Sequence, residues 1–140
     1  MKKIVLAILL VSSLFSNELM IEMDSKSNES LNILFKSGSY QVDSTQQEKL
    51  DKYVDFLFDN HHLSVDLLGH TDSIGSKESN MKISIKRVET VKEYFINEGI
   101  LESRINTISC GETTPKFNNK TAENRQMNRR VEAKTFVTFE

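Results

Sequence analysis

The sequence predicts an α/β protein, an α+β sandwich in which two main helices pack on one face of a four-stranded mixed sheet, in the order β-α-β-α-β-(α)-β. Three observations predict it: short apolar or alternating runs, two long segments with apolar residues at helical spacing, and polar or glycine turns between them. The sheet has to be mixed because the first and last strands are far apart in sequence. The 140 residues suit one domain with one hydrophobic core.

The first strand is predicted at Leu31–Phe35, an apolar run that ends at Ser37-Gly38-Ser39. Asp43 or Ser44 caps the first long helix, and Gln47 is placed to complete a capping box with Ser44. This helix fades after Asn60. Its apolar stripe recurs at helical spacing and consists of Leu50, Tyr53, Val54, Leu57 and Phe58.

The second strand is predicted from the alternation of Leu63, Val65 and Leu67 with polar residues. The second long helix runs from Lys77 to Asn97 and stops at Gly99, a favourable C-cap residue. Its apolar stripe is Val88, Val91, Tyr94 and Phe95, flanked by Met81, Ile85 and Ile96.

After the second long helix, the sequence predicts a strand at Arg104–Cys110, a loop at Thr113–Lys120 and a short helix at Ala122–Asn128. A last strand follows, predicted from Val131, Ala133, Val137 and Phe139, with Thr135 in the same phase.

The first 16 residues predict a secretory signal peptide, residues 17–30 a flexible lead, and residues 31–140 the folded domain. Lys2 and Lys3 precede an apolar run, Ile4 to Val11, that is too short to span a bilayer. Cleavage is expected after Ser16, with Val11-Ser12-Ser13 as the alternative. An uncleaved membrane anchor would need a longer apolar stretch, so we predict no direct membrane span.

Composition excludes several classes of partner. Without Lys2 and Lys3, 16 basic residues face 20 acidic ones, a mature net charge of −4. This weak acidity argues against a nucleic-acid partner and against electrostatic binding to a membrane surface. Cys110 is the only cysteine, so no internal disulfide forms. No spacing of Cys, His and Asp resembles a zinc site, and we predict no cofactor.

The most informative segment is residues 69–91, where Asp72 lies on a polar turn just after an apolar run and Arg87 follows within a helical pattern. An Asp after a strand and an Arg in the next helix can converge on the loop between them. The carboxylate would take a ligand ammonium, and the planar guanidinium a ligand carboxylate. The simpler alternative makes Asp72 a turn residue and Arg87 a solvated helix residue.

Several spaced motifs in register surround this pair. They are Thr71-Asp72 with Gly75, then Asn80, Ser84, Arg87 and Val91, then Gly111-Glu112 with Pro115, and finally Asn128-Arg129-Arg130-Val131-Glu132. Together they resemble the C-terminal peptidoglycan-binding domain of OmpA-like outer-membrane proteins, which the peptidoglycan-associated lipoprotein and MotB also carry. The chain departs from the family pattern at Lys36, Gly38, Ile83, Ser109 and Asn124.

The resemblance implies the OmpA-C-like fold and non-covalent binding of peptidoglycan through the diaminopimelate of its stem peptide. Asp72 and Arg87 would hold the zwitterionic centre of that residue, backbone N–H groups of the turn from Thr71 to Gly75 would add donors, and Asn80 would fix the loop or touch the peptide. Arg130 is left open as a ligand contact. Arg125 and Arg129 are expected to be structural, paired within a set that includes Glu112, Glu123 and Glu132. The implied location is the periplasm, at the cell wall or outer membrane.

Two other functions are weighed. An enzyme would need Cys110 with His70, which nothing orients, or Asp72 with Glu112, where a nearby Arg87 favours the ionised carboxylate that a general acid cannot use. We therefore expect no catalysis, and expect His70 to brace the turn. The second is an adaptor that binds outer-membrane or envelope-complex proteins through Leu19 to Met23 without wall binding.

Overall fold

A computed structural model describes residues 30–138, and this part of the chain forms four strands and three helices. In order they are β1 (Leu31–Leu34), α1 (Ser44–Asp59), β2 (Leu63–His70), α2 (Lys77–Asn97), β3 (Ile105–Gly111), α3 (Ala122–Asn128) and β4 (Arg130–Val137), with a 3-10 turn at Glu102–Arg104. The predicted signal peptide, nearly all of the lead, and Phe139 lie outside the described residues. None of the helices within residues 30–138 is long and apolar enough to cross a membrane.

The sheet has the strand order β1-β4-β2-β3. The pairing of β2 with β3 is parallel, whereas β4 runs antiparallel to both β1 and β2. The predicted mixed sheet is thus confirmed. β2 continues two residues beyond the predicted apolar run because Gly69 pairs with Val131 and His70 with Gly111. The turn that carries Asp72 therefore begins directly at the end of a central strand.

The hydrophobic core lies between one face of the sheet and the two long helices, as predicted. Alternate residues of the strands face the helices, and those that belong to the core cluster are at most 5% exposed. Full burial of one such side chain contributes about 1.5–3 kcal/mol relative to leaving it in water. The cluster includes Ile33, Val65, Leu67, Val131 and Ala133 from the strands, and Leu50, Val54, Leu57, Val88, Val91 and Phe95 from the helices.

Of the two N-cap candidates for α1, the structure has Asp43: its Oδ1 accepts from the Thr45 backbone N–H at 3.0 Å while its Oδ2 pairs with Lys36. Two other local predictions for this helix are wrong. The capping box does not form, and Gln47 donates to the Tyr94 hydroxyl instead. Phe58 is 41% exposed rather than part of the core. It lies in the last turn of the helix, where its ring lies over Gly99.

Gly69 allows α2 to lie directly on the end of β2. A Cβ at this position would come within 2.5 Å of the Ser84 carbonyl oxygen and 2.7 Å of Val88 Cγ1. Any side chain would therefore push the helix away from the strand. This close approach places Arg87, three residues after Ser84 on α2, beside the turn that carries Asp72.

Candidate functional site

A cavity of about 180 Å³ lies where β2 ends and α2 begins. Its walls come from four separate parts of the chain: the segment after β1, the turn after β2, the first turns of α2, and the residue that precedes β4. The lining residues that carry charge are Asp72, Arg87 and Arg129. The structure thus brings the predicted pair Asp72 and Arg87 together and adds a second arginine.

Arg87 is buried, with 1% exposure, so its alternative interpretation as a solvated helix residue is wrong. Its Nε donates to the Ser39 carbonyl at 2.8 Å, Nη1 to the His70 carbonyl at 2.8 Å, and Nη2 to the Lys36 carbonyl at 3.3 Å. A guanidinium has five N–H bonds, so one N–H of each terminal nitrogen takes no part in these three bonds. The pKa of Arg87 is lowered to about 10, mainly by burial and then by Arg129, while Asp72 acts in the opposite direction. The group stays cationic at neutral pH.

Asp72 combines a turn role with a charged role. Its Oδ1 accepts from the Ile74 backbone N–H at 3.0 Å, the side-chain-to-backbone bond that favours Asp in turns. Its Oδ2 accepts from Arg129 Nη1 at 2.9 Å, and the residue is only 4% exposed. The carboxylate is therefore held in one orientation and faces cationic partners.

Thr71 and Asn80 fix the backbone of the turn rather than add donors to it. Both side chains donate to the Asp72 carbonyl, Thr71 Oγ1 at 2.9 Å and Asn80 Nδ2 at 3.3 Å. The Thr71 N–H donates to the Gly111 carbonyl and the Ile74 N–H to Asp72, so neither is available to a ligand. Of the two roles expected for Asn80, the geometry supports loop fixing.

The structure places Arg129, not Arg130, in this cavity. Arg129 Nε donates to the Phe35 carbonyl and Nη2 to Gln126 Oε1, while Nη1 donates to Asp72. Arg130 does not line the cavity; its Nε donates to Glu132 Oε1 at 2.8 Å. The expected pairing of Arg129 with a glutamate is wrong, because Arg129 forms its ion pair with Asp72.

Strand alternation explains the difference between the two arginines. Val131 and Ala133 face the helices, so Arg129 lies in their phase and Arg130 in the opposite one. The alternation of β4 was predicted from the sequence, and the same alternation extended by one step would have placed Arg129 on the helix side of the sheet, where the site lies.

His70 links the site to the opposite face of the sheet. Its carbonyl accepts from Arg87, while its buried ring has Nδ1 3.1 Å from Thr114 Oγ1 and Nε2 3.9 Å from Glu132 Oε2. The pKa of His70 is lowered to about 4, mainly by burial and then by Arg130, with Glu132 opposing the change. Nε2 has no hydrogen-bond partner among residues 30–138, so Cys110 is not activated by this ring.

Together the three charged side chains of the cavity carry a net charge of +1, from two arginines and one aspartate. All three are held by backbone or side-chain bonds, so the arrangement is pre-organised. It can accept a carboxylate at the arginines and an ammonium at Asp72. Such a site suits a ligand that carries both groups on one carbon.

Comparison with known proteins assigns the chain to a family. Residues 34–129 match the OmpA family model, and the chain belongs to the OmpA family. It is 35% identical over 104 residues to outer membrane porin F of Pseudomonas aeruginosa, which covers 74% of this chain but 30% of the porin. It is 29% identical over 116 residues to the peptidoglycan-associated lipoprotein of Buchnera aphidicola, covering 83% of this chain and 67% of the lipoprotein.

Solved structures share the fold. The peptidoglycan-associated lipoprotein from Burkholderia pseudomallei matches with a TM-score of 0.72 at 23% identity, over 75% of this chain and 89% of that one. The C-terminal domain of Helicobacter pylori MotB matches with a TM-score of 0.72 at 20% identity, over 77% and 85%. The family and the fold expected from the sequence are both confirmed.

Proposed function

We propose that this protein binds peptidoglycan non-covalently by holding the free zwitterionic centre of diaminopimelate in the stem peptide. The observation that carries the proposal is a buried Asp72 that lines one cavity together with two arginines, Arg87 and Arg129, the second of which pairs with it. Membership of the OmpA family supports it, as does the similarity to a lipoprotein whose name states an association with peptidoglycan.

In the proposed complex the ligand ammonium joins Asp72, and the ligand carboxylate meets the free N–H bonds of Arg87. Arg129 shifts part of its bonding from Asp72 to the same carboxylate. The net charge of +1 makes the carboxylate essential, since a ligand that brings only an ammonium meets net repulsion. Diaminopimelate carries both groups at its free centre, whereas lysine lacks the second carboxylate.

The proposed location is the periplasm, in contact with the cell wall. The predicted signal peptide at residues 1–16 and the outer-membrane or lipoprotein relatives support this placement. The protein would act there as a binding protein and not as an enzyme. Outer-membrane or envelope-complex proteins are its proposed further partners.

Co-sedimentation with purified diaminopimelate-type sacculi tests the proposal. We expect the wild-type protein to pellet and Asp72→Asn to remain in the supernatant, because this isosteric change removes the charge that meets the ammonium. Asp66→Asn is the matched control: it makes the same change on β2, outside the cavity, and should pellet. Wild-type protein that stays in the supernatant would favour the adaptor function, and pelleting of Asp72→Asn would contradict the proposed site.

A further inference from the structure

A second, larger cavity lies beside the candidate site and has a volume of about 450 Å³. Leu34 and Phe35 give it an apolar floor at the end of β1. Its rim is polar and consists of Lys36, Asp43 and Gln46 on one side and Gln126 on α3 on the other.

The two cavities share a wall. Residues 34–36 line the larger cavity, and the next two residues, Ser37 and Gly38, line the smaller one. The wall is completed by a hydrogen bond of 2.7 Å from Arg129 Nη2, in the smaller cavity, to Gln126 Oε1, in the larger one. A ligand that extends across this wall passes from one cavity into the other.

The larger cavity offers mainly hydrogen-bond donors. Gln46 Oε1 already accepts from the Leu34 N–H and from Lys49, which leaves the two N–H bonds of its amide without a partner among residues 30–138. The Lys36 ammonium pairs with Asp43 at 2.9 Å and has two further N–H bonds. Asp43 is engaged at both oxygens, by Lys36 and by Thr45. The ligand groups that match such a cavity are acceptors, namely carbonyl and carboxylate oxygens.

We propose that this larger cavity, formed by β1, the start of α1 and α3, binds the peptide that continues from the diamino acid anchored at Asp72 and Arg87. The inference rests on the proposed function. The smaller cavity has room for roughly one amino acid, so the rest of a stem peptide has to lie outside it. The neighbouring stem residues carry peptide carbonyls and, on the isoglutamyl residue, a free carboxylate, which are the acceptors that Gln46 and Lys36 lack.

Calorimetry with a short and a long ligand tests this inference, using free diaminopimelate and the tripeptide L-Ala-γ-D-Glu-diaminopimelate. The wild-type protein should bind the tripeptide more tightly. Thr45→Trp fills the larger cavity and should lower tripeptide affinity about tenfold, equivalent to about 1.4 kcal/mol, while leaving diaminopimelate affinity unchanged. Ser44→Trp is the control, because Ser44 is exposed on the same helical turn but does not line the cavity.

A second variant, Lys36→Met, guards against misfolding of Thr45→Trp. The Lys36 side chain is 78% exposed, so its loss should leave the fold intact and weaken only the tripeptide. Equal wild-type affinity for both ligands, or unchanged tripeptide binding by both variants, would contradict peptide binding in the larger cavity. Neither result would contradict the proposed diaminopimelate site. Failure of the wild-type protein to bind either ligand would overturn the proposed function and this inference with it.

Discussion

Arg129 Nη1 lies 2.9 Å from Asp72 Oδ2, an ion pair whose side chains are only 12% and 6% exposed. The two residues are 57 positions apart in the sequence. A ligand ammonium therefore has to share or replace an arginine that the protein already places on Asp72. The ion pair holds the carboxylate in position and also sets the electrostatic requirement that the ligand must meet.

Breaking this ion pair should cost stability. Arg129→Gln leaves the buried Asp72 carboxylate without its cation and should lower the free energy of unfolding by about 2–4 kcal/mol, measured by urea denaturation. Adding Asp72→Asn should restore part of the loss, because the unpaired charge is then gone. Strict additivity of the two changes would show that the residues do not interact.

Substitutions of the two adjacent arginines, Arg129 and Arg130, should separate effects on stability from effects on ligand binding. Arg130→Gln breaks a buried pair with Glu132 and should lower stability, but the folded protein should keep its affinity for diaminopimelate peptides, since Arg130 does not line the cavity. Arg129→Gln should weaken that affinity. Calorimetry at a temperature where both variants are folded makes the comparison, and a greater loss of affinity in Arg130→Gln would contradict the assignment.

Arg87 should be as important for folding as for binding. Arg87→Met leaves three backbone carbonyls without their donor and should lower the free energy of unfolding by about 3–5 kcal/mol. Lys86→Met, at the neighbouring exposed position of α2, loses only an exposed contact of its ammonium with the Tyr40 ring and should change it by about 1 kcal/mol or less. Similar unfolding curves for the two variants would show that the carbonyl bonds contribute little. Arg87→Lys is the better probe of affinity, because it keeps the charge and loses the planar fork.

His70 should make stability depend on pH. Its pKa is about 4 in the folded protein, lowered mainly by burial and then by Arg130, against 6.5 unfolded. As the pH falls, the unfolded chain therefore binds a proton at His70 at a higher pH than the folded protein does. The stabilisation due to neutral His70 is complete above about pH 6.5 and is lost as the pH falls towards 4. The expected loss in the free energy of unfolding is about 2–4 kcal/mol. His70→Gln should flatten that fall relative to wild type, whereas His62→Gln, at an exposed histidine, should not. If the free energy of unfolding falls with pH to the same extent in wild type and His70→Gln, His70 does not contribute to the pH dependence.

The contact of α2 with β2 depends on Gly69. Gly69→Ala places a methyl group 2.5 Å from the Ser84 carbonyl oxygen, and either the helix or the strand has to move. We expect a loss of about 1–3 kcal/mol in thermal or urea unfolding, together with weaker ligand binding because Arg87 moves with the helix. Thr107→Ala, at an exposed position of β3, should affect neither. An unchanged affinity in Gly69→Ala would show that the helix position does not control the site.

The order of helices and strands was predictable because it rests on local patterns. The bounds of α2 and α3 follow from apolar spacing and end signals such as Gly99, which adopts a left-handed conformation with φ of 103°. The N-cap of α1 was not predictable, because Asp43 and Ser44 are both good caps. In the structure Asp43 caps the helix through Oδ1, and its Oδ2 is also paired with Lys36, a contact that only the fold brings about.

The site was predictable only in part, because its bonds join distant segments. The motif placed Asp72 and Arg87 near each other, yet Arg87 is fixed by carbonyls 48 and 51 positions away, at Ser39 and Lys36. No local pattern indicates such contacts. Arg129 was within reach of strand alternation, but its pairing with Asp72 depends on β4 lying beside β2.

Calorimetry with matched stem peptides tests the central claim most directly. The three ligands are a tripeptide that ends in diaminopimelate, the same peptide with its free-centre carboxylate amidated, and the same peptide with lysine in place of diaminopimelate. Because the cavity carries a net charge of +1, the diaminopimelate form should bind, and the amidated and lysine forms should bind on the order of tenfold or more weakly. Equal affinity for the diaminopimelate and lysine peptides would contradict a site in which Asp72, Arg87 and Arg129 bind both charges of one zwitterionic centre.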